Sequence, residues 1–181
     1  MFNHYCDVEP DSRVFLVEKA KGCVLASLAQ IVQPPNGQIY LCDYRNDTFQ
    51  VTAYPALKFV KVDNSREVIS VIPPNMALEL KQHKDALQFT HVIIAAQLNV
   101  VEILQSVHEN LQPNGKVIVY SRFIGTLEKV AALLFERKDF INIQVCDTMM
   151  RKMQVLAQRT HPEMSGPNFG GFILTAYKVA L

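Results

Sequence analysis

The residues best equipped for chemistry fall into two groups. Near the end of the chain, Arg151, Lys152, Arg159 and His161 bring cationic and hydrogen-bonding side chains into one short stretch. A guanidinium pairs with a phosphate through two parallel bonds, an ammonium meets it as a point charge, and a histidine donates to it. From Thr148 onward the chain carries Arg151, Lys152, Arg159 and Lys178 against Glu163, a local balance of 4 − 1 = +3. The formal net charge of the whole chain is only +1, so total charge does not announce a nucleic-acid partner. The tail reads either as a phosphate-facing surface or as a solvated face. Arg122 is a further cation, placed just after an apolar run.

The second group is Glu18, Gly22 and Asp43. In a nucleotide-binding sheet the turn after the first strand is glycine-rich so that backbone can approach the ligand, and an acid about 20 residues on holds the ribose hydroxyls. Here that turn reads Glu18-Lys19-Ala20-Lys21-Gly22-Cys23. One glycine is present, and Lys19 and Lys21 bring long charged side chains to a place where close approach requires none. Asp43 stands where the ribose acid would stand, yet an Asp after a strand is also common turn chemistry. The cofactor site is therefore read as broken, with no cofactor held by this chain. Past the strand that starts at His91, the residues Ala95-Ala96-Gln97-Leu98-Asn99 offer no carboxylate to take a proton or orient an amine.

Other chemistries find no set of residues. The five histidines lack metal-ligand spacing, and the four cysteines form no CxxC pair. Ser121 and Ser165 lack a nucleophile-elbow context, and no cysteine has a histidine beside it in sequence. Neither a metal nor a catalytic residue is expected. Cys23, Cys42 and Cys146 lie in or beside apolar segments and read as small buried hydrophobes in a reducing compartment. His108, near the apolar stripe of a helix, reads as an edge-of-core residue.

The elements that must position these residues follow from periodicity. The chain has 181 residues, 49% hydrophobic and 19% charged, which suits one domain with one core. Val14 to Val17 reads as a buried parallel strand, and Cys23 to Val32 as a helix stopped at Pro34-Pro35-Asn36-Gly37. Gln38 to Cys42 resumes as a strand, giving a strand–helix–strand unit with short connections. Residues 45–62 are mixed, Glu67 to Ile72 reads as a strand, and Met76 to Lys81 as a short helix. His91 to Ala96 is an apolar strand. Val100, Ile103, Leu104, Val107 and Leu111 share one helix face, and Gln112-Pro113-Asn114-Gly115 turns the chain into a strand from Lys116 to Tyr120. A helix follows through Leu127, Val130, Ala131, Leu134 and Phe135. Phe140 to Cys146 alternates as a strand with Ile141, Ile143 and Val145 on one face. The stretch from Arg151 to Gly171 is polar and rich in Gly and Pro, and Phe172 to Val179 closes the chain. Two late strands without a crossover helix suggest an antiparallel hairpin at the sheet edge. The pattern reaches an α/β sheet, mostly parallel, with an antiparallel C-terminal hairpin; this is the architecture of the Rossmann-like, class I methyltransferase fold, and other mixed sheets also fit it. No apolar run reaches the ~18 residues that span a bilayer, and Met1 to Asp11 is polar and acidic, unlike a signal peptide. A soluble, intracellular protein is expected.

The most distinctive segment is Gln154-Val155-Leu156-Ala157-Gln158-Arg159-Thr160-His161-Pro162-Glu163-Met164-Ser165-Gly166, followed by Gly170-Gly171-Phe172-Ile173-Leu174. It resembles the C-terminal signature of the non-catalytic subunit of the eukaryotic tRNA (adenine-58-N1)-methyltransferase. Phe89 to Ala95 and Val119-Tyr120-Ser121 resemble that family's fourth and fifth strands, and Val14 to Gln30 its degenerate first strand and helix. The resemblance covers roughly Arg13 onward. It departs from the family in two ways: the N-terminal β-rich domain is absent from residues 1–181, and Pro167, Asn168 and Phe169 interrupt the glycine run. What the resemblance implies is a single degenerate methyltransferase-like domain that pairs with a catalytic subunit into a heterotetramer in the nucleus. The catalytic partner would bind S-adenosylmethionine, and this chain would help to hold tRNA. Carried over by position, Arg159 and His161 are the expected tRNA contacts, with Arg151, Lys152 and Arg122 as weaker electrostatic candidates. Gly166, Gly170 and Gly171 are expected to permit a tight backbone path rather than to touch RNA. The alternative is an active S-adenosylmethionine-dependent methyltransferase with an atypical cofactor loop, resting on Asp43 and the fold. A dinucleotide-dependent oxidoreductase would need the glycine turn that Gly22 alone does not supply.

Overall fold

The computed structural model describes residues 5–18, 22–42, 69–72, 87–96, 99–149, 153–157, 159–162 and 169–180. The expectations for residues 45–62 and Met76 to Lys81 lie outside these, as do Lys19, Lys21, Asp43, Gln97, Arg151, Lys152 and Gly166.

Short runs of β-branched and aromatic residues form the central strands β1 (Arg13–Glu18), β2 (Gln38–Cys42), β3 (Ile69–Ile72), β4 (Phe89–Ala95) and β5 (Leu111–Ser121). With β6 (Phe140–Met149) and β9 (Phe169–Lys178) they make a seven-stranded sheet in the order β3-β2-β1-β4-β5-β9-β6. Strands β1 to β5 pair in parallel, and β9 runs antiparallel to both β5 and β6. The expected mostly parallel sheet with an antiparallel ending is what the chain adopts.

Strand side chains alternate between two cores. Val14, Leu16, Ile39, Leu41, Ile93, Ile118 and Ile173 face the helix α1 (Cys23–Leu28), which buries Leu25, Ala26 and Leu28. Phe15, Val17, Val92, Ile94, Val117, Val119 and Leu174 face α2 (Val100–Val107) and α3 (Ile124–Arg137). Each large side chain removed from water contributes roughly 1.5–3 kcal/mol, so burial on both faces explains the continuous apolar runs of β1 and β4.

Several boundaries differ from the periodicity. The helix expected to reach Val32 ends at Leu28: the Ile31 amide bonds three residues back to the Leu28 carbonyl, a tighter turn than the α-helix, and shares that carbonyl with the Val32 amide. Helix α2 ends at Val107 and tightens into a 3₁₀ turn, His108–Asn110, so Leu111 opens β5 instead of continuing the helix face. The Gln112 to Gly115 turn is absorbed into β5 as an irregularity against β4, with Asn114 at φ 64°. On β6 a register shift between Ile141 and Gln144, with Asn142 at φ 52°, breaks the expected single face: Ile143 packs on the core while Ile141 and Val145 are exposed. Gly170 and Gly171 lie inside β9 and not ahead of it. The polar stretch between β6 and β9 also holds two unexpected strands, β7 (Met153–Leu156) and β8 (Arg159–Pro162), paired as an antiparallel hairpin. Cys42 is buried as expected, whereas Cys23 is exposed because it opens α1 on the solvent side.

Candidate functional site

The strand order reverses between β1 and β4, so the ligand crevice of such a sheet opens at their carboxyl ends. Glu18 closes β1 there and is 5% exposed. Its carboxylate accepts the amides of Val24 at 3.0 Å and Leu25 at 2.8 Å. Helix α1 starts after Gly22, which holds φ 81° and has no side chain to cap the helix. Glu18 supplies that cap from the preceding strand, and an anion at a helix start is favoured by both the dipole and charge-assisted bonding. Its observed role is structural.

Farther along the same edge, β4 leads to Asn99 and α2, and β5 leads to Arg122, Phe123 and α3. A cleft of about 470 Å³ lies between them, lined by Asn99, Val100, Val101, Phe123, Gly125, Thr126 and Lys129. Phe123 is 64% exposed and Ile124 is exposed beside it. Sequence reasoning missed Phe123 and Lys129. The available signal was an apolar pair, Phe123-Ile124, at the start of a helix whose buried stripe begins only at Leu127.

Arg159 and His161 stand on β8, both exposed. The hairpin register sets His161 opposite Gln154 and Arg159 opposite Leu156, so both predicted contacts share one face. Met153 and Val155 project from the other face, Val155 at 75% exposure. His161 Nδ1 bonds to the Pro162 carbonyl at 3.0 Å, so Nε2 donates to an anion only when the ring is protonated. Arg122 lies in the bend just after β5, outside the hairpin, and no hydrogen bond or ion pair among the described residues joins it to Arg159. Lys178, counted among the tail cations, does not serve that surface: its ammonium donates to the carbonyls of His108 and Leu111 at 2.7 and 2.8 Å.

The perturbed titratable groups sit near the amino ends of the parallel strands, away from the crevice. His91, Lys116 and Tyr177 lie side by side across β4, β5 and β9. Burial lowers His91 to about 4, helped by the Lys116 charge. Burial likewise pushes the Cys6 thiol up to about 12. His108 bridges Asp139, 2.5 Å from Nε2, and Arg137, 2.6 Å from Nδ1; Nε2 therefore donates and Nδ1 accepts. Burial holds its pKa below the usual histidine range, against the pull of Asp139. His108 is thus a bridged residue at the core edge. No group of three or more His, Cys, Asp or Glu able to hold a metal ion occurs among the described residues. No helix among them is long and apolar enough to cross a membrane.

No family model matches the chain. Known proteins do. Residues of this chain are 34% identical over 88 positions to the tRNA (adenine(58)-N(1))-methyltransferase non-catalytic subunit of Dictyostelium discoideum, a match covering 49% of this chain and 17% of that protein. The mouse (Mus musculus) subunit of the same name is 28% identical over 88 positions, 49% of this chain and 18% of its own. That of Eremothecium gossypii is 23% identical over 105 positions, 58% of this chain and 23% of its own. The matched stretch thus spans about one-sixth to one-quarter of these curated relatives. Among solved structures, an S-adenosylmethionine-dependent O-methyltransferase from Thermotoga maritima superposes with a TM-score of 0.73 at 15% identity, covering 97% of this chain and 62% of that one. The tRNA (m1A58) methyltransferase TrmI from Aquifex aeolicus gives 0.65 at 14% identity, covering 97% and 65%. The chain has the class I methyltransferase fold and is similar, over about half of its length, to non-catalytic subunits of tRNA (adenine(58)-N(1))-methyltransferase.

Proposed function

We propose that this chain is a non-catalytic, tRNA-binding and assembly subunit of a tRNA (adenine-58-N1)-methyltransferase complex. In this reading a catalytic partner, joined with it in a nuclear heterotetramer, holds S-adenosylmethionine and methylates N1 of adenine 58 in the T-loop. The observation that carries the reading is the similarity to the Dictyostelium, mouse and Eremothecium non-catalytic subunits.

Three physical features support it. The turn after β1 carries one glycine, Gly22, and the Glu18 carboxylate accepts two amides of α1, which supports a chain that leaves S-adenosylmethionine to its partner. The hairpin presents Arg159 and His161 on one exposed face, where contacts to phosphate fix a tRNA's position without reading its sequence. Arg122, Arg151 and Lys152 add weaker electrostatic contacts in the same reading. Finally, β6 lies at the edge of the sheet with Ile141 and Val145 exposed, and Met153 and Val155 are exposed on the hairpin. A long edge strand with exposed apolar side chains is the surface on which a partner subunit gains most.

Calorimetry of the purified chain with S-adenosylmethionine, followed by co-expression with a catalytic subunit, tests the reading. Absence of binding at millimolar cofactor, with a stable complex of raised tRNA affinity, is expected. Micromolar cofactor binding would restore the enzyme alternative, and failure both to associate and to alter tRNA affinity would remove the subunit role.

A further inference from the structure

We propose that the cleft between the amino ends of α2 and α3 seats one unstacked RNA nucleotide, its base on Phe123 and its phosphate on Lys129 and Arg122. The proposal deepens the RNA-binding reading and rests on it. The cleft lies past the carboxyl ends of β4 and β5, and its volume of about 470 Å³ falls in the ~300–1,000 Å³ range of small-ligand sites.

Phe123 is the first argument. Its ring is left 64% exposed, yet its backbone is clamped on both sides. The Ser121 hydroxyl accepts the Phe123 amide and donates to the Phe123 carbonyl, each at 3.0 Å, and the Thr126 amide donates to that carbonyl at 3.2 Å. An exposed aromatic ring on a fixed backbone is a ready platform for a base, and such stacking tolerates any base. Gly125 is the second argument. Its φ is not in the left-handed region, and a Cβ built there would meet only Glu128 Oε2, at 3.9 Å. The fold therefore does not require glycine, and alanine would favour the helix. What glycine provides is open space on the cleft wall.

Charge is the third argument. Lys129, one turn beyond Gly125, is the charged residue among those lining the cleft, and Arg122 adjoins Phe123. Both are exposed, and neither makes an ion pair among the described residues. No side chain caps α2 or α3 at its first residue, so both helix starts add positive potential. The acids nearby are Glu102, which accepts the Asn99 amide at 3.1 Å, and Glu128. A stacking platform needs an unpaired base, so the occupant is single-stranded RNA and not a duplex.

Fluorescence anisotropy of the 181-residue chain with a fluorescein-labelled decamer of oligoadenylate and with an RNA duplex of equal length tests this. Gly125→Leu fills the cleft and Phe123→Ala removes the platform. Each is expected to weaken the single strand by about tenfold, with duplex binding changed by no more than about twofold. Unchanged single-strand affinity in the variants overturns the cleft while RNA binding itself stands. Equal losses on both probes overturn the stacking role. A wild-type chain that binds neither probe also overturns the cleft, and the tRNA reading then depends on the co-expression measurement alone. Should Gly125→Leu lose its fold by circular dichroism, the exposed Phe123→Ala carries the test.

Discussion

The ammonium of Lys116 lies 2.5 Å from the carboxylate of Asp7, although 109 positions separate them. The lysine side chain is 7% exposed and the aspartate 62%. The Tyr177 hydroxyl also donates to Asp7 at 3.2 Å, and the ammonium sits 5.0 Å from the Tyr177 ring centroid. This knot ties the leading segment to β5 and β9. Burial is the largest single influence on the lysine and works against its charge, but Asp7 and Tyr177 together outweigh it, so its pKa rises; the bond to Lys116 holds Asp7 below the usual carboxylate range.

Removing one partner differs from replacing the buried charge. Asp7→Ala leaves a mostly buried ammonium without its carboxylate. Full burial of such an orphan costs ~3–5 kcal/mol, and the exposure of Asp7 reduces the expected loss to roughly 1–2 kcal/mol. Lys116→Met substitutes an apolar chain of similar length and is expected to change stability by less than about 1 kcal/mol. Urea unfolding of both variants checks this. A Lys116→Met loss as large as that of Asp7→Ala would mean that the pair itself adds net stability.

His91 gives stability a definite pH dependence. Its pKa is about 4 in the fold against an ordinary value of 6.5, because burial, and then Lys116, disfavours the imidazolium. Between those values the unfolded chain binds a proton that the folded chain does not. The contribution is therefore complete above pH 6.5 and is lost as pH falls toward 4, with His108 adding in the same direction. From neutral pH to about pH 4.5 the His91 share is roughly 2–3 kcal/mol. Urea melts across this range should show the loss, and His91→Gln should flatten the profile. An unchanged slope in that variant would remove His91 as the cause.

Much of the fold was legible because β1, β2 and β4 bury both faces and so read as unbroken apolar runs, while α3 carries its buried stripe at Leu127, Val130 and Leu134. The hairpin of β7 and β8 was not legible. Its strands are four residues each, and exposed Met153 and Val155 alternate against Arg159 and His161 without a core to mark the period. The site was legible in part for a similar reason. That the turn after β1 holds a single glycine, Gly22, can be read from the sequence. That Glu18 caps a helix six and seven residues ahead depends on the path of the turn. The cleft at Phe123 depends on two helix starts converging, which no local pattern encodes.

Gly171 should tolerate no side chain. It holds φ +118°, and a Cβ there would lie 2.7 Å from the Tyr120 ring. Tyr120 cannot move aside freely, since its hydroxyl donates to the Gly170 carbonyl at 2.5 Å, and Thr148 donates to the Gly171 carbonyl at 2.8 Å. Backbone strain and overpacking together predict a loss of roughly 2–4 kcal/mol for Gly171→Ala. Thermal unfolding checks the magnitude. Tyr120→Ala in the same chain should recover the overpacking part, and no recovery would place the whole loss in the backbone.

Arg159 is the sharpest test of the phosphate-facing hairpin. It is exposed on β8, and no hydrogen bond or ion pair holds it among the described residues, so Arg159→Ala should leave the melting temperature nearly unchanged. In a complex with the catalytic partner the same change should weaken tRNA binding about tenfold. The dependence of log affinity on log salt should also become shallower, by roughly 0.7–0.9, because one phosphate is no longer neutralised. Arg159→Lys keeps the charge but not the paired geometry, so it should restore the salt slope and only part of the affinity. Filter binding at several salt concentrations separates these outcomes. A lowered melting temperature with an unchanged slope would make Arg159 a brace for the hairpin, and the phosphate partner would have to be sought among Arg122, Arg151 and Lys152.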